Sequence, residues 1–310
     1  VAVTTATRNT LVGGLTGDSI TTGARNTALG ALALSEETAG AYSTAVGYQA
    51  LAVQNNTGGG NIYNTAVGYQ AGFSITTGVQ NTLIGGAAGD ALTDADYNVA
   101  LGVSSLAQDT LGSKSTALGF GTLATQNFTS ATDSFNTAVG YHAGVSVTTG
   151  TENTLIGGAA GDALTVGSNN VALGYQAGTS IETTTSTDNT IVGDRAGTGG
   201  SGVMTYCTAI GSGALNGTGT RNSSMNTAIG VNSMGGAFGG TVNYNTAVGG
   251  NTMTGALNAS NYNVALGYTA LQALTTGDNN TFVGYASGDA TDDGNDNVAI
   301  GHQALSANAG

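Results

Sequence analysis

The pentapeptide Asn-x-x-x-Gly, with small or aliphatic residues at its third and fourth positions, recurs along the whole chain. Its glycine falls at Gly13, Gly30, Gly47, Gly68, Gly85, Gly102, Gly119, Gly140, Gly157, Gly174, Gly193, Gly211, Gly230, Gly249, Gly267, Gly284 and Gly301. These 17 copies lie 17 to 21 residues apart; glycine is present in all of them and asparagine opens 14, the exceptions being Ser43, Ser115 and Cys207. A unit this short cannot enclose a core by itself, so neighbouring units must stack and share one. Nothing is left over for a second domain, and residues 1–310 read as one repeat domain.

A longer period lies over the short one. "NTLVGGLTGD" at residue 9 and "NTLIGGAAGD" at 81 and 153 are 72 residues apart, so four units form one block. The super-repeat runs over about 9–174, and the units of 175–310 have diverged from it.

Within a unit the second and fourth residues of the pentapeptide, as in Thr65/Val67, Thr82/Ile84 and Val99/Leu101, share parity and are the more apolar pair. Alternation with a period of two predicts a strand with these residues on the core side. The third residue, usually alanine, then faces outward, which makes Ala66, Ala100, Ala138 and Ala172 a candidate close-approach interface. A second apolar piece after the glycine ("YQAL", "YTAL") predicts a second short strand per unit. Helix is disfavoured by the abundance of Gly, Thr, Asn and Val. The fold class is therefore all-β: a parallel β-solenoid, or β-roll, of about 17 coils of 17–21 residues. At about 4.8 Å per coil such a stack is a rod on the order of 80 Å long.

The recurring glycine fits a corner that needs positive φ or close backbone approach, at Gly68, Gly85, Gly102, Gly140, Gly157 and Gly174. The recurring asparagine, at Asn64, Asn81, Asn98, Asn136, Asn153 and Asn170, predicts a side-chain amide ladder from coil to coil.

Composition limits the partners. The net charge is −13, with only five basic residues: Arg8, Arg25, Lys114, Arg195 and Arg221. That scarcity argues against nucleic acid and anionic membrane surfaces as partners. No apolar run reaches the ~20 residues of a membrane span, so membrane insertion is not expected. The absence of an initiator Met is consistent with an excerpt or a processed form. Cys207, the lone cysteine, reads as a small buried residue in an asparagine slot.

"NVALG", "NVAIG" and "NTAVGYQA" resemble the head repeats of trimeric autotransporter adhesins, the YadA-like head family, and similar repeats of bacteriophage tail fibres. The resemblance covers the whole chain. It implies a left-handed parallel β-roll that forms a homotrimer and contacts a host cell-surface glycan or protein. These coils are longer than the adhesin repeat, so they need longer loops or an extra turn.

Candidate sites are few. His142 stands where Gln70 stands one block earlier, and His302 occupies the slot of Tyr48; no convergent partners suggest catalysis. "GGAAGDALT" at 85 and 157, with "GGLTGDSIT" at 13, approaches a calcium-binding nonapeptide but loses its fourth-position glycine. Asp18, Asp90 and Asp162 are read there as acidic turn caps. Asp289, Asp292, Asp293 and Asp296 form a slightly better calcium candidate but read first as a solvated loop, and no metal or cofactor is expected. Tyr48, Tyr69, Tyr141, Tyr175, Tyr268 and Tyr285 share the slot after the glycine. The two 21-residue intervals carry extra segments at 53–63 and 125–135, and loops on a rigid scaffold are where recognition concentrates. Asn55, Asn56, Tyr63, Asn127, Phe128 and Phe135 are the recognition candidates.

The functional expectation is a non-enzymatic, extracellular fibre segment of a virion tail or cell surface: a rigid trimeric rod that presents a host-recognition surface. The rival is an ice-binding solenoid. It is disfavoured if the threonine column from Thr27 to Thr137 faces the core, as the parity reading has it.

Overall fold

The computed structural model describes residues 5–179, 186–199, 202–219 and 221–306. The described residues are all-β, in parallel stacked coils, as the repeat predicts. They divide into two compact units, Val1–Glu152 and Asn153–Gly310.

Every repeat contributes one three-residue strand. In the first unit Thr10–Val12, Thr27–Leu29, Thr44–Val46, Thr65–Val67, Thr82–Ile84, Val99–Leu101, Thr116–Leu118 and Thr137–Val139 pair successively, parallel and in register. Equivalent residues therefore lie one above another, Thr44 beside Thr65 and Thr65 beside Thr82. The second unit repeats the arrangement from Thr154–Ile156 to Val298–Ile300. Two-residue strands lie just before the asparagine slot in some coils, as in Gly40–Ala41 with Gly60–Asn61 and Gly112–Ser113 with Thr132–Asp133.

The strands are short because positive φ brackets them. In the coil of Asn64, Tyr63 sits at φ 57° and Gly68 at φ 142°, with Gln70 at 53° and Gly72 at 59° beyond. Positive φ at every second residue curls the chain after the glycine. The expected second strand at "YQAL" is therefore a turn, although its amides still bond to the next coil, as Leu51 N–H does to the Ala71 carbonyl at 3.0 Å.

The facing of the strand is the reverse of the parity reading. Ala66, Ala100, Ala138 and Ala172 are fully buried, while Thr65 and Val67 are half-exposed. The alanines are thus interior and form no outer interface. Asparagine decides this: it shares parity with the alanine, and Asn64, Asn81 and Asn98 are buried with it. Hydrophobic alternation ranks side chains by transfer from water, whereas here the buried position goes to the side chain that must satisfy backbone groups inside the coil.

Core volume is shared between two slots. Where the strand centre is Ala100 or Ala117, the residue six positions later is the large Leu106 or Leu123, and both leucines are fully buried. Where the centre is Leu83, Leu155 or Phe282, that later residue is Gly89, Gly161 or Gly288, and a Cβ there would collide with the large side chain. In these coils the two slots exchange bulk; where both are small, as at Ala66 with Gly72, large side chains at Leu51, Ile75 and Leu83 reach the space, which keeps the narrow interior filled.

Candidate functional surfaces

The asparagine ladder is present and internal. The N–H of Asn81 donates to Asn64 Oδ1 at 2.8 Å and that of Asn98 to Asn81 Oδ1 at 2.9 Å. Each Nδ2 donates to a carbonyl 14 residues on, Asn64 to Gly78 and Asn81 to Ala95, both at 2.7 Å. Asn136 does the same to Gly150, also at 2.7 Å. In the second unit the N–H of Asn170 donates to Asn153 Oδ1 at 3.0 Å. The ladder bonds are mainly amide to backbone, with side-chain to side-chain contacts such as Asn170 Nδ2 to Asn153 Oδ1 at 3.1 Å added in some coils. At Cys207 the thiol takes the slot: it is buried, donates weakly toward the Ser223 carbonyl at 3.5 Å, and burial pushes its pKa up.

At Ser43 and Ser115 the ladder loses its amide, and these serines open the two 21-residue intervals. Sequence reasoning missed what fills the gap. Glu37 and Gln54 are fully buried; Gln54 Nε2 donates to Glu37 Oε2 at 2.8 Å and to Ser43 Oγ at 2.9 Å. Asn64 Nδ2 donates to Gln54 Oε1 at 2.9 Å. Glu37 Oε1 accepts the N–H groups of Thr38, Ala39, Gly40 and Asn56 at 2.6–3.2 Å. One block on, Asp109 and Gln126 repeat the arrangement with Ser115 and Asn136. A buried carboxylate is tolerable when several N–H donors converge on it. These clusters gather the amides freed where the longer loops leave the regular coil. The signal was available: both carboxylates stand 11 residues after an asparagine, where Ile20, Ile75, Leu92 and Leu164 stand in other coils.

The extra segments thus have a structural anchor and an exposed edge. Phe128, a recognition candidate, is 5% exposed, packs against Gly112 and gives its N–H to Asp109 Oδ1 at 3.1 Å, so it belongs to the core. Asn56 and Asn55 are half-buried, with Asn55 Oδ1 accepting from Thr38 Oγ1 at 2.9 Å. Asn127, Tyr63 and Phe135 are exposed. Tyr63 stacks on Tyr42 at 5.1 Å, and Lys114 Nζ lies 5.1 Å from the Phe135 centroid while pairing with Asp133 at 2.5 Å.

The aromatic slot after the glycine forms short outward stacks: Tyr48 on Tyr69, Phe120 on Tyr141, and Tyr268 on Tyr285 on His302, at 5.1–5.9 Å. His142 lies 4.0 Å from Tyr141. Both histidines are members of aromatic columns.

Asp292, Asp293 and Asp296 are exposed and Asp289 is half-buried; among the described residues no three His, Cys, Asp or Glu side chains converge on a metal position. Asp296 accepts from Asn279 Nδ2 at 3.1 Å, and Asp289 Oδ1 is buried without a partner. Asp90 Oδ1 is also buried and unpartnered, and burial holds this carboxyl above its ordinary value of 3.8, opposed in part by a backbone hydrogen bond. A raised carboxyl pKa means the folded state disfavours the charge, so its penalty is absent at low pH and grows as pH rises through the window above 3.8. Asp90→Asn is therefore expected to raise the thermal midpoint at pH 7, with a gain that shrinks to nothing as pH falls toward 3.8. Melting curves of both proteins across that range check it; a gain that persists at low pH contradicts the assignment.

The remaining surface is the outer side of the strands. Because alanine points in, the fourth-position residues point out: Leu29, Leu101, Leu173, Ile210 and Leu266 are 38–49% exposed. Beside them runs the threonine column, Thr27 exposed and Thr44, Thr65, Thr82, Thr116 and Thr137 half-exposed.

No known family model matches the chain, and no similar curated protein was found. Among the described residues no helix is long and apolar enough to cross a membrane.

Proposed function

We propose that this chain is a structural and adhesive fibre segment, of a virion tail or a cell-surface fibre, working outside the cell as a left-handed, homotrimeric rod without enzymatic activity. The observation that carries the reading is the outer strand face, which in each unit is a column of exposed and half-exposed Val, Leu and Ile in successive coils. Apolar patches of that extent on soluble proteins usually mark association surfaces. Closed symmetry buries such a face without leaving an open end, and three copies around one axis bring the faces together. Within each unit the in-register coils favour stiffness, because the described coils bond to their neighbours through turns as well as strands. The resemblance to YadA-like head repeats favours the same assembly and a host-surface glycan or protein as contact.

One observation favours ice binding as a second reading. The threonine column faces outward, in register, at a coil spacing of about 4.8 Å. A regular Thr array on a flat parallel sheet is the chemistry an ice plane needs. The adjoining aliphatic column and the interruptions at Val99, Val171 and Val264 weigh toward the fibre.

Solution mass decides between them. The fibre reading expects three times the 30.1 kDa chain mass by light scattering. Leu101→Lys with Leu118→Lys should dissociate the assembly while leaving the circular dichroism unchanged. A stable monomer that restrains ice recrystallisation overturns the fibre and supports the rival.

A further inference from the structure

The residue just before each asparagine slot is in the left-handed conformation, from Arg8 at φ 61° to Phe135 at 50° in the first unit. The asparagine beside it is turned inward, and the preceding residues form a separate outward column. In the first unit that column holds Arg8, Arg25 and Lys114, three of the chain's five basic residues despite a net charge of −13. Four of its other members are the rings of Tyr42, Tyr63, Tyr97 and Phe135; Gln80 separates Tyr63 from Tyr97, and the acidic Glu152 ends the column. In the second unit the same slot again carries rings, at Tyr206, Tyr244 and Tyr262, but its charged members are Asp188 and Asp296 and it holds no base. The rings therefore belong to the repeat, and the pairing of rings with bases belongs to the first unit.

The column is ordered along its length. The Arg25 guanidinium lies over the Tyr42 ring at 5.1 Å, and Tyr42 stacks on Tyr63 at 5.1 Å with 27° between planes. The backbone is pinned coil to coil: Gln80 N–H donates to Ile62 at 2.8 Å, Tyr97 N–H to Val79 at 3.1 Å and Lys114 N–H to Asp96 at 3.0 Å. Tyr63 and Tyr97 are 49% and 47% exposed, and Gln80 between them is exposed too. The two ring positions are two coils apart, about 10 Å at the ordinary strand spacing. That separation admits a sugar ring between or across them, with the Gln80 amide to donate and accept.

We propose that this column is a binding stripe for an acidic polysaccharide running along the coils, its sugar rings against Tyr63 and Tyr97 and its carboxylates or sulfates at Arg8 and Arg25. The inference deepens the adhesive part of the function proposed above and rests on it. Aromatic faces supply apolar contact for sugar C–H groups, and guanidinium forks match planar or tetrahedral anions. Lys114 is already paired with Asp133, which leaves the two arginines as the principal cations. Single-stranded nucleic acid would meet the same rings and bases, so tighter binding of DNA is one of the outcomes that overturn the proposal.

The test is biolayer interferometry of the full chain against polygalacturonate, heparin, neutral dextran and single-stranded DNA, at low and high salt. Binding of polygalacturonate or heparin, weakened by salt and absent for dextran, is expected; which of the two binds tells carboxylate from sulfate recognition. Arg8→Ser with Arg25→Ser, and separately Tyr97→Ser, should each weaken it about tenfold, equivalent to ~1.4 kcal/mol. Tyr141→Ser, in the other aromatic column, should leave it unchanged. Absence of binding to both acidic polymers, equal binding of dextran, tighter binding of DNA, or indifference to the column variants overturns the proposal. Light scattering on the same samples keeps the readings apart: a trimer that does not bind removes the stripe and leaves the rod, and a monomer that binds does the converse.

Discussion

Gly85→Ala is expected to destabilise the first unit by at least about 3 kcal/mol, while Gly86→Ala beside it changes stability by less than about 0.5 kcal/mol. Gly85 sits at φ 139°, a region closed to side-chain-bearing residues except under strain, and its Cβ would press into the carbonyl of Gly102 in the next coil. That neighbour is backbone, held by the Gly102 N–H bond to the Ile84 carbonyl at 2.7 Å, and cannot swing aside as a side chain could. Strain contributes about 1–3 kcal/mol, and displacement of the stacked coil adds to it. Gly86 has no atom within 4 Å of its would-be Cβ. For a unit of this size the loss is a fall of at least roughly 6–12 °C in thermal midpoint. Calorimetry of the two single variants checks the contrast; equal midpoints would show that the corner does not need glycine.

The second large effect is at the ladder. Asn81→Ala removes the acceptor of the Asn98 N–H and the donor to the Ala95 carbonyl, both inside the coil. Each orphaned group costs about 1–3 kcal/mol, so a loss of ~2–6 kcal/mol is expected, well beyond that of an ordinary polar truncation. Asn81→Ser should be nearly as damaging, although serine occupies this slot naturally at Ser43 and Ser115. There the Gln54 and Gln126 side chains bridge the gap, whereas the coil of Asn81 has Leu92 at the corresponding position. Denaturant titration of the two variants measures the loss. A cost under about 1 kcal/mol for either would mean that water or backbone movement replaces the lost bonds.

Much of the fold was legible because repetition turns a weak local pattern into a strong one. The corner at Gly68 and the ladder at Asn64 could be read from recurrence alone, since glycine is invariant in its slot and asparagine gives way only at Ser43, Ser115 and Cys207. The facing of Thr65, Ala66 and Val67 could not be read from hydrophobicity, which placed the wrong pair inside. The anticorrelation between Ala100 with Leu106 and Leu83 with Gly89 carries the correct answer, for two residues that exchange bulk must fill one space. That signal is of volume rather than polarity. Phe128 lies in an inserted segment and reads from the sequence as a loop contact, yet the Asp109 cluster draws its backbone inward and its ring follows.

The candidate surfaces were less legible than the fold. Arg8, Arg25 and Lys114 are scattered over more than a hundred residues and look like isolated charges in an acidic chain. They become one stripe only when the coils are in register.

By itself the sequence determined the repeat, its period, the all-β parallel solenoid, and the slots that require glycine and asparagine. These follow from local steric and hydrogen-bonding demands that each unit restates. Tertiary structure alone decided which side of the strand is the core, how the serine coils are repaired by buried carboxylates, and which distant side chains share a surface. The physical reason is that these outcomes depend on the interior volume and on the unpaired backbone groups of neighbouring coils, and neither exists until the coils are stacked.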